Sequence, residues 1–351
     1  MPSFPLTDGS SERLQAIRTT RVSDRPPMAL TGSAVRAIGL AEKESYGGSV
    51  HEVTRRLTPP ERYHFGRTLA PLVAPQFDPV ARLARDEFRL AARTPDGPGA
   101  IHLRRAGSGE ITATTYGPGA NWLAEHAAAI AGLEDDVTAF PALAASHPVV
   151  RQLARTFAGV RMPRTGMLFH RVLRAVLEQK VTGVEAFRAY RKIAQRFGEP
   201  APGPGELLLP PDPAAIAATP YWAFHPLGVE QRRTQALLRA AQVAARLEEC
   251  PDSADATRRL TALPGIGPWT AAEVTRIAYG DADAVSVGDY HVPNTVAFGL
   301  AGEARGSDER MLELLEPFRG HRARVCDLLA AGGIRAPRFG PRMPIRSFAK
   351  F

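Results

Sequence analysis

Leu263-Pro264-Gly265-Ile266-Gly267-Pro268-Trp269-Thr270-Ala271 is the stretch on which the fold of this 351-residue chain turns. It joins two segments of helical pattern through a turn whose glycines stand two residues apart. Glycine admits positive φ and leaves no Cβ to hold a ligand away from the backbone. Pro268 suits the first turn of the following helix, where its missing N–H costs nothing. Ile266 is expected to pack inward and fix the angle between the helices. The free N–H groups of the helix start, with the turn amides, make a site for one phosphate oxygen. A bare Gly-x-Gly is more often an ordinary turn between core helices. The whole string Leu-Pro-Gly-Ile-Gly-x-x-Thr-Ala is what points to binding of a DNA backbone.

Working outward, the chain after residue 146 reads as almost wholly helical, with candidates at 147–157, 168–180, 183–197, 212–218, 229–248, 254–263, 268–279 and 308–331. Gly/Pro clusters at 198–204, 264–268 and 336–344 punctuate them. The segment from Glu230 to Glu249 carries an apolar stripe of Leu237, Leu238, Ala241, Val243, Ala244 and Leu247, with arginines expected on the other side. Before residue 146 the pattern is mixed. Glu87–Thr94, Ala100–Arg105 and Glu110–Thr115 read as strands separated by turn residues, the last two as a hairpin, and Asn121–Leu133 as a helix. The expected organisation is a leader over 1–55, an α+β domain with an antiparallel sheet over 56–145, an all-helical body over 146–334 and a basic tail over 335–351. The fold class is therefore α+β.

Composition narrows the partners. Lys+Arg number 44 against 36 Asp+Glu, a net charge of +8, and the sequence pI is near 9.9. Arg335, Arg338, Arg342, Arg346 and Lys350 concentrate five of those charges in the tail, a pattern that suits nucleic acid or plain solubility. Cys250 and Cys326 are the only cysteines, too few for a disulfide framework or a four-cysteine iron–sulfur cluster. No apolar run approaches a membrane span, and no secretory leader is evident, so a cytoplasmic protein is expected, nucleoid-associated if bacterial.

The hairpin string resembles the helix–hairpin–helix motif of the base-excision DNA glycosylases. Twenty residues after Trp269 stands Asp289, within Val285-Ser286-Val287-Gly288-Asp289-Tyr290-His291, where that superfamily places its catalytic carboxylate. The Asp289-Tyr290 pair resembles the 3-methyladenine DNA glycosylase II branch. So do Ala175-Val176-Leu177-Glu178-Gln179-Lys180-Val181-Thr182, similar to its Ile-Leu-Gly-Gln-x-Val-Ser helix end, and more weakly Glu316-Pro317-Phe318-Arg319. The resemblance spans roughly residues 60–331, and the order of an α+β unit before the helices fits it.

The resemblance implies a base-flipping enzyme that cleaves the bond between base and deoxyribose in double-stranded DNA. Positive charge develops on the sugar as that bond breaks, and an ionised Asp289 would stabilise it; capping the helix at Tyr290-His291-Val292 is the plainer role of the same side chain. Where strand-nicking relatives carry a lysine, this chain has Trp269, which cannot form a Schiff base, so a monofunctional enzyme is expected. Gly265, Ile266, Gly267 and Thr270 fall on the DNA-binding hairpin. Lys180 stands where relatives insert a wedge into the gap left by the base, with Gln179 as the plug if the register is one residue off. The base pocket is implied at Trp269, Tyr290, Glu273, Glu178 and Asp327. Two of these depart from the family, because Glu273 and Asp327 stand where aromatic rings are expected for stacking on cationic bases. Glu273 reads equally as a surface acid on an amphipathic helix, and Glu178 replaces a glycine. The resemblance also implies a monovalent cation (Na+ or K+) held by the carbonyls of Thr261, Leu263 and Gly265, and otherwise no cofactor. His170, His291 and His321 are scattered and read as packing or hydrogen-bonding residues. Damaged, alkylated purines are the expected substrates and a monomer the expected state. The alternatives are a glycosylase for deaminated or oxidised bases, and a non-catalytic helix–hairpin–helix binder.

Overall fold

The computed structural model describes residues 51–75 and 77–337. Most of the expected leader, and Arg338, Arg342, Arg346 and Lys350 of the basic tail, lie outside the described residues. A five-stranded antiparallel sheet is built from β1 (Glu52–Leu57), β2 (Ala81–Leu83), β3 (Glu87–Thr94), β4 (Gly97–Arg105) and β5 (Ile111–Tyr116), in the order β1-β5-β4-β3-β2. Strand alternation sets its inner face: in β5, Ile111, Ala113 and Thr115 are buried between half-buried neighbours. Two strands were not expected. β1 begins inside the segment read as leader, because its polar run Glu52-Val53-Thr54-Arg55-Arg56-Leu57 is an edge strand with little to bury. β2 is only three residues long.

The helical body holds α1 (Pro148–Thr156), α2 (Leu168–Glu178), α3 (Gly183–Phe197), α4 (Gln231–Gln242), α5 (Ser253–Thr261), α6 (Pro268–Ala278), α7 (Val292–Ala301), α8 (Asp308–Leu315) and α9 (Arg322–Ala331), with shorter turns between them. Three expected helices are interrupted. The Asn121–Leu133 segment divides at His126, whose ring stacks on Trp122 at 3.8 Å and bonds to the Trp122 carbonyl at 2.8 Å. The 229–248 segment breaks at Val243. The 308–331 segment breaks after Leu315, where Pro317 shapes a 3-10 turn and Gly320 adopts φ +88°. α7 had no place among the expected helices except as the segment that Asp289 might cap.

Two apolar cores organise these elements. The larger joins the sheet (Phe88, Leu90, Ile101, Leu103) to α2, α3, α4 and α6 through Val172, Leu173, Ile193, Leu237 and Val274. The smaller joins the 140–157 segment (Phe140, Val150) to α7, α8 and α9 through Val296, Met311, Leu315, Val325 and Leu329. The link between α6, rooted in the first core, and α7, rooted in the second, carries Asp289. Functional side chains are thus drawn from the seam between two separately packed groups of helices.

Candidate active site

The hairpin joins α5 to α6 as the sequence predicts. Gly265 takes φ +96°, and a Cβ there would lie 2.8 Å from the Ala236 Cβ, so both its conformation and its fit against α4 require glycine. Ile266 is buried and its amide donates to the Leu263 carbonyl at 3.0 Å. Gly267 is the N-cap of α6, Pro268 opens the helix, and no side chain caps it. Its first-turn amides are therefore left for an external acceptor. Arg239 on α4 braces the turn by donating to the Pro264 carbonyl at 3.2 Å.

The end of α2 is tied to this hairpin. The Gln179 side-chain amide donates to the Gly265 carbonyl at 3.0 Å and to the Thr270 hydroxyl at 2.8 Å. Gln179 is thus engaged as a tether, while the next residue, Lys180, is exposed in the left-handed region at φ +53°. That conformation costs a non-glycine residue roughly 1–2 kcal/mol and holds only because both flanks are fixed. On one side, buried Arg233 donates to the last-turn Leu177 carbonyl at 2.6 Å and to Glu230. On the other, Thr182 and Glu185 form a reciprocal capping box on α3. Arg233 is a correction: it was expected on the polar side of its helix, yet it is 2% exposed.

Asp289 serves as cap and as oriented carboxylate at once. Its Oδ1 accepts from the amides of His291 at 2.7 Å and Val292 at 2.9 Å, at the start of α7. Its Oδ2 accepts from the Trp269 indole N–H at 2.9 Å. The preceding Gly288, at φ +91°, donates its amide to both carboxylate oxygens of Asp308 at 3.0 and 3.1 Å. Loop and side chain are therefore anchored from α6, α7 and α8, and the carboxylate is half-buried.

The pocket residues divide. Tyr290 is 74% exposed, its ring set edge-on to His291, and does not face Trp269 as a closed aromatic box would. Glu273 is not a surface acid: it is buried, and its carboxylate accepts from Arg171 at 2.9 Å, from Arg276 at 2.7 and 2.8 Å, and from the Ser286 hydroxyl at 2.7 Å. Burial alone would raise its pKa; the two guanidiniums and Ser286 outweigh it and hold it below the usual value. Glu178 lies 3.6 Å from Arg171, and Asp327 lies 3.3 Å from Arg276. Asp327 sits on a concave wall, half open to solvent, yet the surrounding protein pushes its carboxyl upward. The Cys326 thiol beside it is pushed up to about 12, chiefly by burial, with Asp327 and Asp289 adding to the effect. Glu178, Glu273 and Asp327 thus belong to one ionic cluster around Arg171 and Arg276, facing the seam that Asp289 occupies.

Ser286, Asp308, Arg171, Arg276 and Arg233 carry much of this positioning and were not singled out in the sequence. Arg171 and Arg174 within the apolar run Leu168-Phe169-His170-Arg171-Val172-Leu173-Arg174 were the available signal, since arginine is buried only when paired. His170 is a core residue: it bonds to the Tyr190 hydroxyl at 2.9 Å, and burial drives its pKa down to about 3. His321 accepts from Arg324 at 3.2 Å. Among the described residues no group of three His, Cys, Asp or Glu side chains is placed to hold a metal ion, and no helix is long and apolar enough to cross a membrane.

No family model matches the chain. It is 32% identical over 117 residues to DNA-3-methyladenine glycosylase 2 of Escherichia coli (strain K12), covering 32% of this chain and 42% of that protein. It is 22% identical over 199 residues to DNA-3-methyladenine glycosylase of Bacillus subtilis (strain 168), covering 53% of this chain and 64% of that one. The matches thus span about half the length of these relatives. Among solved structures, the 3-methyladenine DNA-glycosylase from Archaeoglobus fulgidus superposes with a TM-score of 0.67 at 19% identity, covering 78% of this chain and 96% of that one. The Clostridium acetobutylicum 8-oxoguanine glycosylase/lyase superposes at 0.62 with 12% identity, covering 80% and 97%. At these identities the superpositions speak for the fold, which is that of the helix–hairpin–helix DNA glycosylases. The chain belongs to that superfamily, and its sequence similarity lies with the 3-methyladenine DNA glycosylase II branch.

Proposed function

We propose that the protein is a monofunctional DNA glycosylase that removes damaged, alkylated purines from duplex DNA. The observation that carries the reading is the Asp289 carboxylate, fixed by the Trp269 indole and two amides on the loop beside a hairpin with uncapped amides. The hairpin amides would hold a phosphate of the damaged strand, and Lys180 would enter the space left by the everted nucleotide. The glycosidic C–N bond breaks with its electron pair leaving on the base. Asp289 stabilises the cationic sugar and orients the water whose oxygen bonds to the anomeric carbon; the water's proton balances the charge on the released base. The products are a free base and an abasic site. Trp269 supports the monofunctional form, since an indole offers no amine for a Schiff base.

The carbonyls of Thr261, Leu263 and Gly265 would hold a structural Na+ or K+. They suit one: the Leu263 and Gly265 carbonyls each accept one hydrogen bond and keep a second lone pair. The net charge of +8 favours approach to duplex DNA. We take the protein to act as a monomer in the cytoplasm.

The test is base release from duplexes bearing 3-methyladenine, 7-methylguanine, hypoxanthine, uracil or 8-oxoguanine, followed by hot alkali. Strand breaks that appear only after alkali on the alkylated duplexes are expected. Breaks without alkali refute the monofunctional form, and binding without release from any duplex points to a non-catalytic binder.

A further inference from the structure

Trp269, Glu273 and Arg276 follow one another along α6 at spacings of four and three, so they share one face of the helix. From Trp269 to Arg276 that face runs about 10 Å along the axis. One end is the Trp269–Asp289 pair, where the sugar would lie; the other is the Arg276–Asp327 pair. The buried Cys326 thiol feels Asp289, Asp327 and Arg276 together, which places the two ends in one neighbourhood. A base everted onto Asp289 would therefore direct its far edge toward Arg276 and Asp327.

The acids along this wall differ in how fully they are engaged. Glu273 has Arg171, Arg276 and Ser286 and is closed to solvent. Glu178 is mostly buried beside Arg171. The Asp327 side chain is 51% exposed, and its ion-pair partner among the described residues is Arg276 at 3.3 Å, which orients it and leaves lone pairs open. An ionised carboxylate is an acceptor only. It gains from an N–H placed against it and is repelled by a carbonyl oxygen in the same place. Aromatic walls stack on any base of suitable size, whereas a site built to pair with an N–H rejects an analogue that lacks it. Tyr290, exposed at the rim, does not supply such a wall here.

We propose that Asp327 is a specificity-determining residue whose carboxylate accepts a hydrogen bond from an exocyclic amino group of the everted base, so that the pocket selects amino-bearing lesions over those with a carbonyl at that position. This rests on the glycosylase reading above and names the substrate class of the same site. Arg276 acts as a positioning residue, since it holds Asp327 while remaining paired with Glu273.

The test compares 3-methyladenine with hypoxanthine, two purines that differ at the six-position by an amino group against a carbonyl. Single-turnover release of each from duplex DNA is measured for the wild type, Asp327→Asn and Asp327→Ala, with affinity for an abasic-site duplex as the check on folding. The wild type should favour 3-methyladenine, and both variants should lower the ratio of the two rates by about 10- to 100-fold, with abasic-duplex affinity within about 2-fold. A ratio unchanged in both variants, or an equal fall for both lesions, overturns the role of Asp327 while leaving the glycosylase reading intact. A wild type that releases no base at all refutes that reading, and this one with it.

Discussion

Glu273→Ala should destabilise the protein more than an ordinary surface substitution, and the structure says by how much. The Glu273 carboxylate compensates two guanidiniums, Arg171 and Arg276, and satisfies the Ser286 hydroxyl; the Arg171 and Arg276 side chains are only 8% and 20% exposed. Removing one member of a buried charged cluster leaves the others uncompensated, which costs about 3–5 kcal/mol. At about 2–4 °C per kcal/mol for a chain approaching this size, the melting temperature should fall by about 6–20 °C at neutral pH. Acid supplies an independent check. Arg276 and Arg171 hold the folded-state pKa of Glu273 below its ordinary value of 4.5, so the stability it contributes is present above that pH and lost as pH falls through the folded value. The gap between wild type and Glu273→Gln should therefore be widest near neutrality and close on acidification. Urea unfolding between pH 3 and 7 measures both. A loss under about 1 kcal/mol at pH 7 would refute the reasoning, because a carboxylate so placed cannot be removed without stranding its partners.

Gln179→Ala removes both hydrogen bonds that hold the hairpin to α2 and should weaken duplex binding about 10-fold, read by fluorescence anisotropy, with little change in rate at saturating enzyme. Trp269→Phe keeps a ring but removes the indole N–H from Asp289, so single-turnover release should fall about 10-fold while abasic-duplex affinity is retained. Asp327 has its pKa raised above 3.8 by burial, so its ionisation opposes folding at neutral pH; Asp327→Asn should melt no lower than the wild type at pH 7 and lose that advantage below pH 4.

The parts of the molecule legible in the sequence are those set by local rules. The Leu263–Ala271 string specifies its turn because glycine, proline and isoleucine each have one conformational use there, and the twenty-residue spacing to Asp289 survives as a direct hydrogen bond between Trp269 and Asp289. Strands β3, β4 and β5 were legible by alternation between turn residues. Illegible were features decided by tertiary partners. Glu273 reads as a surface acid until Arg171, which lies 102 residues away in sequence, is brought against it. Arg233 reads as a solvent-facing charge until the end of α2 supplies its acceptor at Leu177. The choice between Gln179 and Lys180 could not be made from register, because it depends on which side chain the hairpin engages. Helix breaks at His126 and Val243 carry no proline or glycine to announce them. Charge compensation and side-chain tethering act across the chain, and single-sequence periodicity reports only what acts along it.

The account depends above all on Asp289 as the carboxylate that supports glycosidic cleavage. Single-turnover release of 3-methyladenine from duplex DNA by Asp289→Asn, measured beside duplex affinity, tests this most directly. The account predicts a rate lower by about a hundred- to a thousandfold with affinity retained. Release by the variant at the wild-type rate would contradict it.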